Sequence, residues 1–139
     1  EFGGFNGNVD RWHYYYLHLP STAVIDFGSA AVEERLAECD RDKGVRIFAI
    51  HFLTPVDETN TIDRWMHIRN TATNDDAVSR RMDDLFDIAF AEDKLILEAI
   101  QEEENRPAKR PPIRVSFDRG PNVYRKRIER LIAAERSAT

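Results

Sequence analysis

The spacing of apolar positions changes period once along the chain. Up to about residue 70 the pattern is that of strands. Residues 11–19, RWHYYYLHL, are dense in aromatics, and residues 22–28, TAVIDFG, follow after Pro20 and Ser21, a spacing that predicts a hairpin. Residues 45–54, VRIFAIHFLT, are apolar on both faces apart from Arg46 and His51, which suits a central strand. Residues 60–70 alternate cleanly. Ile62, Arg64, Met66 and Ile68 share one face, and Thr61, Asp63, Trp65, His67 and Arg69 the other. The charged stretch AAVEERLAECDRDKG between the second and third strands predicts an exposed connection with one or two helical turns.

Beyond residue 74 the period becomes helical. A helix of about 30 residues is predicted, with Asn74 or Asp75 as its N-cap and a kink near 89–92. RPAKRPP ends it and predicts an extended linker. A short IRVSF segment and a turn at DRGP lead to a last helix over 122–136, with Pro121 at its first position and Tyr124, Ile128 and Leu131 at helical spacing. Four antiparallel strands followed by a long helix predict an α+β fold in which a curved sheet wraps a helix.

One residue breaks the helical pattern. At 100° per residue, Met82, Ala89, Phe90, Ile96, Leu97 and Ile100 cluster on one side, and Asp93 falls about 20° from the centre of that stripe. Asp84, Asp87, Lys94 and Glu98 lie opposite, as solvated charges should. A carboxylate in an apolar surround needs a partner cation, a proton or a metal. The bland alternatives are a break that turns Asp93 to solvent, or an ion pair with an arginine such as Arg64. Arg64 itself, beside Ile62 and Met66, reads either as a receiver of a ligand carboxylate or as a snorkelling cation. His13 and His18 would stand about 140° apart on a helix and on opposite faces of a strand, so neither geometry chelates one ion well.

Composition narrows the function classes. The 139 residues, 42% of them hydrophobic, suffice for one domain with one core. A net charge of −5 argues against a nucleic-acid module. There is no 18-residue apolar run to span a membrane, and a cytoplasmic location is expected. The single cysteine, Cys39, excludes an internal disulfide, a thiolate-rich zinc site and an iron–sulfur cluster held by this chain alone. An aromatic-rich strand begins almost at once, so the chain is expected to be the C-terminal part of something longer.

The order of several segments resembles a known family. VDRWHYYYLHLPSTAVIDFG, then IHFLTPVDETNTIDRWMHIRN followed by FAEDKLILEAIQ, then VSFDRGPNVYRKRIERLIAAE are similar to the C-terminal catalytic half of the Rieske-type non-haem iron oxygenases. The branch is that of vanillate O-demethylase, dicamba monooxygenase and phthalate dioxygenase oxygenase subunits. The resemblance covers nearly the whole chain and rests on order and spacing rather than on one diagnostic motif. It implies a helix-grip-like α+β fold and places Asp93, the Asp of EDK, as a ligand of a mononuclear Fe(II). Phe86, Phe90 and Leu97 would wall its surroundings, with Ile62, Arg64 and Met66 lining the substrate pocket.

The family's two histidine ligands come from a D/N-x-x-H-x4-H helix upstream. The same letters occur here from Asp10 to His18. They fall in a stretch that matches a later family strand, so they are read as strand residues. The [2Fe–2S] cluster would lie in an N-terminal Rieske domain absent from this chain. Relatives often carry a substrate-contacting His at the position of Ile62, so the substrate is left open. The implied partners are a reductase or ferredoxin electron donor, an aromatic substrate with O2, and further copies of the chain in a trimer. The fragment alone is expected to be inactive. The competing readings are a metal-free lipid- or hormone-binding helix-grip domain, or an interaction domain whose acidic helix docks a partner.

Overall fold

The computed structural model describes residues 4–107 and 115–138. Its strands follow the alternating segments: β1 is Val9–His18, β2 Thr22–Ala31, β3 Val45–Pro55 and β4 Thr61–Arg69. They make one curved, open, antiparallel sheet in the order β1-β2-β3-β4, followed by a long helix, as the α+β, helix-grip-like expectation requires. The chain divides into two compact units that share these strands. One takes in the start of β1, Asp26–Phe48, and β4 from His67 onward with the long helix α1, Asp76–Glu104. The other takes in Tyr15–Ile25, Ala49–Met66 and the last helix α2, Arg119–Ala138.

Local chemistry accounts for the element ends. Asp75 is the N-cap of α1, its carboxylate accepting from the amides of Ala77 at 2.9 Å and Val78 at 3.1 Å. The helix runs unbroken through 89–92, which holds no proline or glycine to kink it. α2 starts three residues before the expected position, which leaves Pro121 inside the first turn, where a missing N–H costs no intrahelical bond. Tyr124 and Ile128 are partly buried and Leu131 is exposed. In the same unit the Tyr124 hydroxyl donates to the Pro20 carbonyl at the β1–β2 turn. The expected linker and the IRVSF segment fall largely outside the described residues; within them, Ser116–Asp118 form a single 3-10 turn. The connection after β2 holds two such turns, Val32–Glu34 and Glu38–Lys43.

In the first unit the alternation of the strands gives the sheet two differently covered faces. Ile47 of β3 is buried, as is Met82 of α1, whose Phe86 stacks on His67 of β4. Asp26 of β2, whose side chain takes the other direction from that of Phe27, is 1% exposed, the most buried large side chain among the described residues. Its carboxylate accepts from Arg46 Nε at 2.9 Å and Arg46 Nη2 at 2.7 Å, a two-point pairing, and from Trp12 Nε1 at 3.3 Å. Arg41, from the second 3-10 turn, closes on it at 3.3 Å and lies 4.2 Å over the ring of Tyr14. Arg46 also pairs with Asp42. The charged connection is therefore a cover for a buried anion rather than a wholly solvated loop.

This cover fits tightly. A Cβ on Gly28 would fall on the Val45 carbonyl oxygen and on the Trp12 ring, and one on Gly44 would stand 2.8 Å from the Ser29 carbonyl. Two positions without side chains leave room for the indole, which reaches Asp26.

Two outcomes follow from this arrangement. The Arg46 hydrogen bonds hold the Asp26 carboxyl below its ordinary value of 3.8, against the opposing effect of burial. A carboxyl lowered on folding contributes stability that is complete above the unfolded value and lost as pH falls through the folded one. Chemical denaturation of the wild type should thus show a midpoint that drops below about pH 4, and Asp26→Asn should flatten that drop while costing about 3 kcal/mol at pH 7. Gly28→Ala should destabilise by about 1–3 kcal/mol, because a backbone oxygen cannot step aside.

Candidate functional site

The site is built around the start of α1 and the end of β4. The row of β4 that reads polar in sequence, Asp63, Trp65, His67 and Arg69, is the more covered one, and the row with Ile62, Arg64, Met66 and Ile68 is exposed along its length. Arg69 explains why a polar row turns inward. Its guanidinium donates to the carbonyls of Thr71 at 3.0 Å, Ala72 at 2.6 Å and Asp75 at 3.0 Å, and to Ser79 Oγ at 3.0 Å. Ala72 sits at φ +48°, a left-handed conformation in the connection that leads into α1. One arginine therefore pins the connection by gathering three of its carbonyls, two of which also accept from backbone amides. The next residue faces the other way. Asn70 accepts from the Arg46 amide at 2.8 Å and donates to the carbonyls of Asp42 at 2.9 Å and Gly44 at 2.8 Å. The dipeptide thus ties α1 and the cover of Asp26 to one strand end.

An aromatic series carries α1 onwards. His67 of β4 stacks on Phe86 with centroids 3.7 Å apart and planes 17° from parallel. Phe90 follows at 6.1 Å from Phe86, Phe27 of β2 meets Phe86 edge-on at 6.4 Å, and His13 of β1 lies 5.4 Å from Phe27. His13 is thereby a packed strand residue, in keeping with the strand reading of the two histidines. In the second unit, His51 of β3 is buried and its Nδ1 stands 2.8 Å from Asp63 Oδ2 on β4.

The expected site residues are distributed as follows. Phe86 and Phe90 are half-buried and come together in the series on His67. Leu97 is 65% exposed, and Ile96 and Ile100 are exposed with it. Asp93 is exposed, one turn beyond Phe90 on the same side of the helix, and every residue of α1 from 91 to 100 is open to solvent. The apolar stripe around Asp93 exists, but no described residue of this chain covers it. In the second unit, Ile62, Arg64 and Met66 share one pleat face of β4 and are exposed. Arg64 forms no ion pair with a described residue.

A mononuclear iron asks for three protein ligands. Among the described residues no group of three or more His, Cys, Asp or Glu side chains is placed to hold a metal ion. The residues described here do not by themselves make a metal centre; Asp93 is one carboxylate. No helix among the described residues is long and apolar enough to cross a membrane.

Several structural residues were not singled out from sequence: Asp26, Arg41, Arg69, Asn70 and the His51–Asp63 pair. Asp26 had the same signature as Asp93, a carboxylate inside the apolar run VIDFG. Arg46 and His51 were visible as the two polar exceptions in β3. Arg69 and Asn70 carried no such signal, because their partners are backbone carbonyls and amides that no side-chain pattern reveals.

The difference between the two halves of α1 is measurable. Met82→Ala, at a 3% exposed position, should cost about 2–4 kcal/mol in chemical denaturation. Asp93→Ala in the same 139-residue chain should move stability by no more than about 0.5 kcal/mol.

Comparison with known proteins matches this architecture to one family. The family model of the vanillate O-demethylase oxygenase C-terminal domain matches residues 1–134. The chain is 29% identical over 136 residues to a toluene-4-sulfonate monooxygenase system iron–sulfur subunit of Comamonas testosteroni, covering 97% of this chain and 39% of that protein. It is 29% identical over 130 residues to the vanillate O-demethylase oxygenase subunit of a Pseudomonas strain, covering 94% of this chain and 40% of that protein. The chain thus spans about two fifths of the length of these relatives. No solved structure matches it. The four-stranded sheet, the long helix behind it and the match over 1–134 together place this chain in the vanillate O-demethylase oxygenase C-terminal domain family.

Proposed function

We propose that this chain is the C-terminal portion of the catalytic domain of a Rieske-type terminal oxygenase, working in the cytoplasm on an aromatic substrate by hydroxylation or O-demethylation. Membership of the family carries the reading, and the names of the relatives, a monooxygenase system subunit and a demethylase oxygenase subunit, point the same way. The Rieske domain with its [2Fe–2S] cluster, and the segment bearing two histidine ligands, belong to the rest of the polypeptide. Mononuclear Fe(II), when bound, supplies O2 activation driven by electrons from a reductase or ferredoxin.

The role of this chain in that reading is positional. Asp93 offers one carboxylate, held one turn beyond the stacked rings of Phe86 and Phe90. Those rings and Leu97 form the apolar wall beside it, and the remainder of the catalytic domain covers the stripe that these residues leave open. In the second unit, Ile62, Arg64 and Met66 are a substrate-facing row of their own, in which Arg64, ion-paired with no described residue, suits an anionic group on the aromatic ring. Further copies complete a trimer.

Iron analysis tests this reading. The intact oxygenase component should hold one mononuclear iron in addition to its cluster, and Asp93→Ala should lose that iron while the visible absorption of the cluster is retained. Full iron content in Asp93→Ala would sink the assignment. The 139-residue chain alone, supplied with reductase and NADH, should turn over no substrate.

A further inference from the structure

The charge of the chain is unevenly divided. Residues 106–139 hold ten Lys and Arg against three Asp and Glu, and residues 1–105 hold ten against 22. α2 carries six of these cations, Arg119, Arg125, Lys126, Arg127, Arg130 and Arg136, against Glu129 and Glu135. At 100° per residue, Arg119, Val123, Lys126 and Arg130 fall within about 60° of one another, on the side away from the partly buried Tyr124 and Ile128, with Arg127 at the margin. The stripe runs about 16 Å along the helix. All four of its cations, Arg127 included, are exposed, and none is ion-paired with a described residue. Between Arg119 and Lys126 opens a shallow groove of about 450 Å³, lined also by Val115, Asn122 and Val123.

Three kinds of polyanion could meet such a stripe, and the surroundings discriminate among them. A nucleic acid needs a basic surface longer than three helical turns, and the rest of this chain is strongly acidic. A membrane surface calls for an apolar stripe beside the cations, and Val123 is the one apolar residue within this arc of α2. An acidic protein segment asks for a few spaced cations and a small apolar foothold, and both are present.

We propose that the outer face of α2 is a docking surface for an acidic protein segment. Its carboxylates seat on Arg119, Lys126 and Arg130, with one apolar side chain against Val115 and Val123. The identity of the partner rests on the proposed function: an oxygenase component must take electrons from a second protein and release it after each transfer. Exposed, unpaired cations suit that task, because they speed encounter and give a contact that salt loosens.

Binding of a plant-type [2Fe–2S] ferredoxin, as an acidic electron-carrier probe, to the 139-residue chain tests the surface by fluorescence anisotropy. At 20 mM salt the wild type should bind, and 200 mM salt should weaken binding at least tenfold. The R119E/K126E/R130E variant should also bind at least tenfold more weakly, with an unchanged far-UV circular dichroism spectrum. The milder K126A/R130A variant should lose about threefold, and D84N/D87N on α1 should lose nothing. Equal binding by wild type and the triple variant overturns the proposal. So does absence of ferredoxin binding, and so does tighter binding of a 20-nucleotide single strand or of phosphatidylglycerol vesicles. The titration needs no iron, so it fails separately from the iron analysis of Asp93→Ala.

Discussion

The first unit is organised by one buried anion. Asp26 lies in the interior of a central strand, where an unpaired carboxylate would cost several kcal/mol. Three side chains converge on it. Arg46 crosses from the neighbouring strand to meet it at two points, and Arg41 is brought over it by a 3-10 turn. Trp12 donates its indole N–H, and Gly28 and Gly44 leave room for its ring. A segment that looks like a charged surface loop is thus required for burial, and its position is set by an ion pair rather than by apolar packing.

The same constraint reaches the start of α1 through Asn70 and Arg69. Asn70 stitches the cover of Asp26 to the end of β4, and Arg69, one residue away and on the opposite pleat face, ties down the connection into α1. Helix placement therefore depends on backbone acceptors gathered by one guanidinium and on the stack of Phe86 upon His67. These contacts are directional. They define the axial position and rotation of α1 more sharply than an apolar stripe, which tolerates sliding.

The elements were legible in the sequence because period and caps are local properties. The alternation of residues 60–70 marked β4, and Asp75 marked the start of α1. What alternation did not reveal was which row of β4 is covered. Ile62, Met66 and Ile68 are the apolar row, yet it is Trp65, His67 and Arg69 of the other row that are partly covered, and the guanidinium of Arg69 finds partners that only the folded chain assembles. The Asp93 anomaly shows the complementary difficulty. A helical wheel locates a stripe but says nothing of what lies against it. In this chain, packing against α1 reaches Phe90 and stops. Family likeness, carried by ordered segments over the whole chain, reached further than any single residue pattern did.

The clamp at the head of α1 makes the rest of that helix a cantilever. Beyond Phe90, each residue adds about 1.5 Å of overhang, so Asp93 projects about 4.5 Å past the last stacked ring and Ile100 about 15 Å. A tilt of roughly 5° at the support would displace the Asp93 backbone by about 0.4 Å and that of Ile100 by more than 1 Å. Displacement grows with distance from the support, so the backbone three residues past Phe90 is held about three times more closely than that ten residues past it.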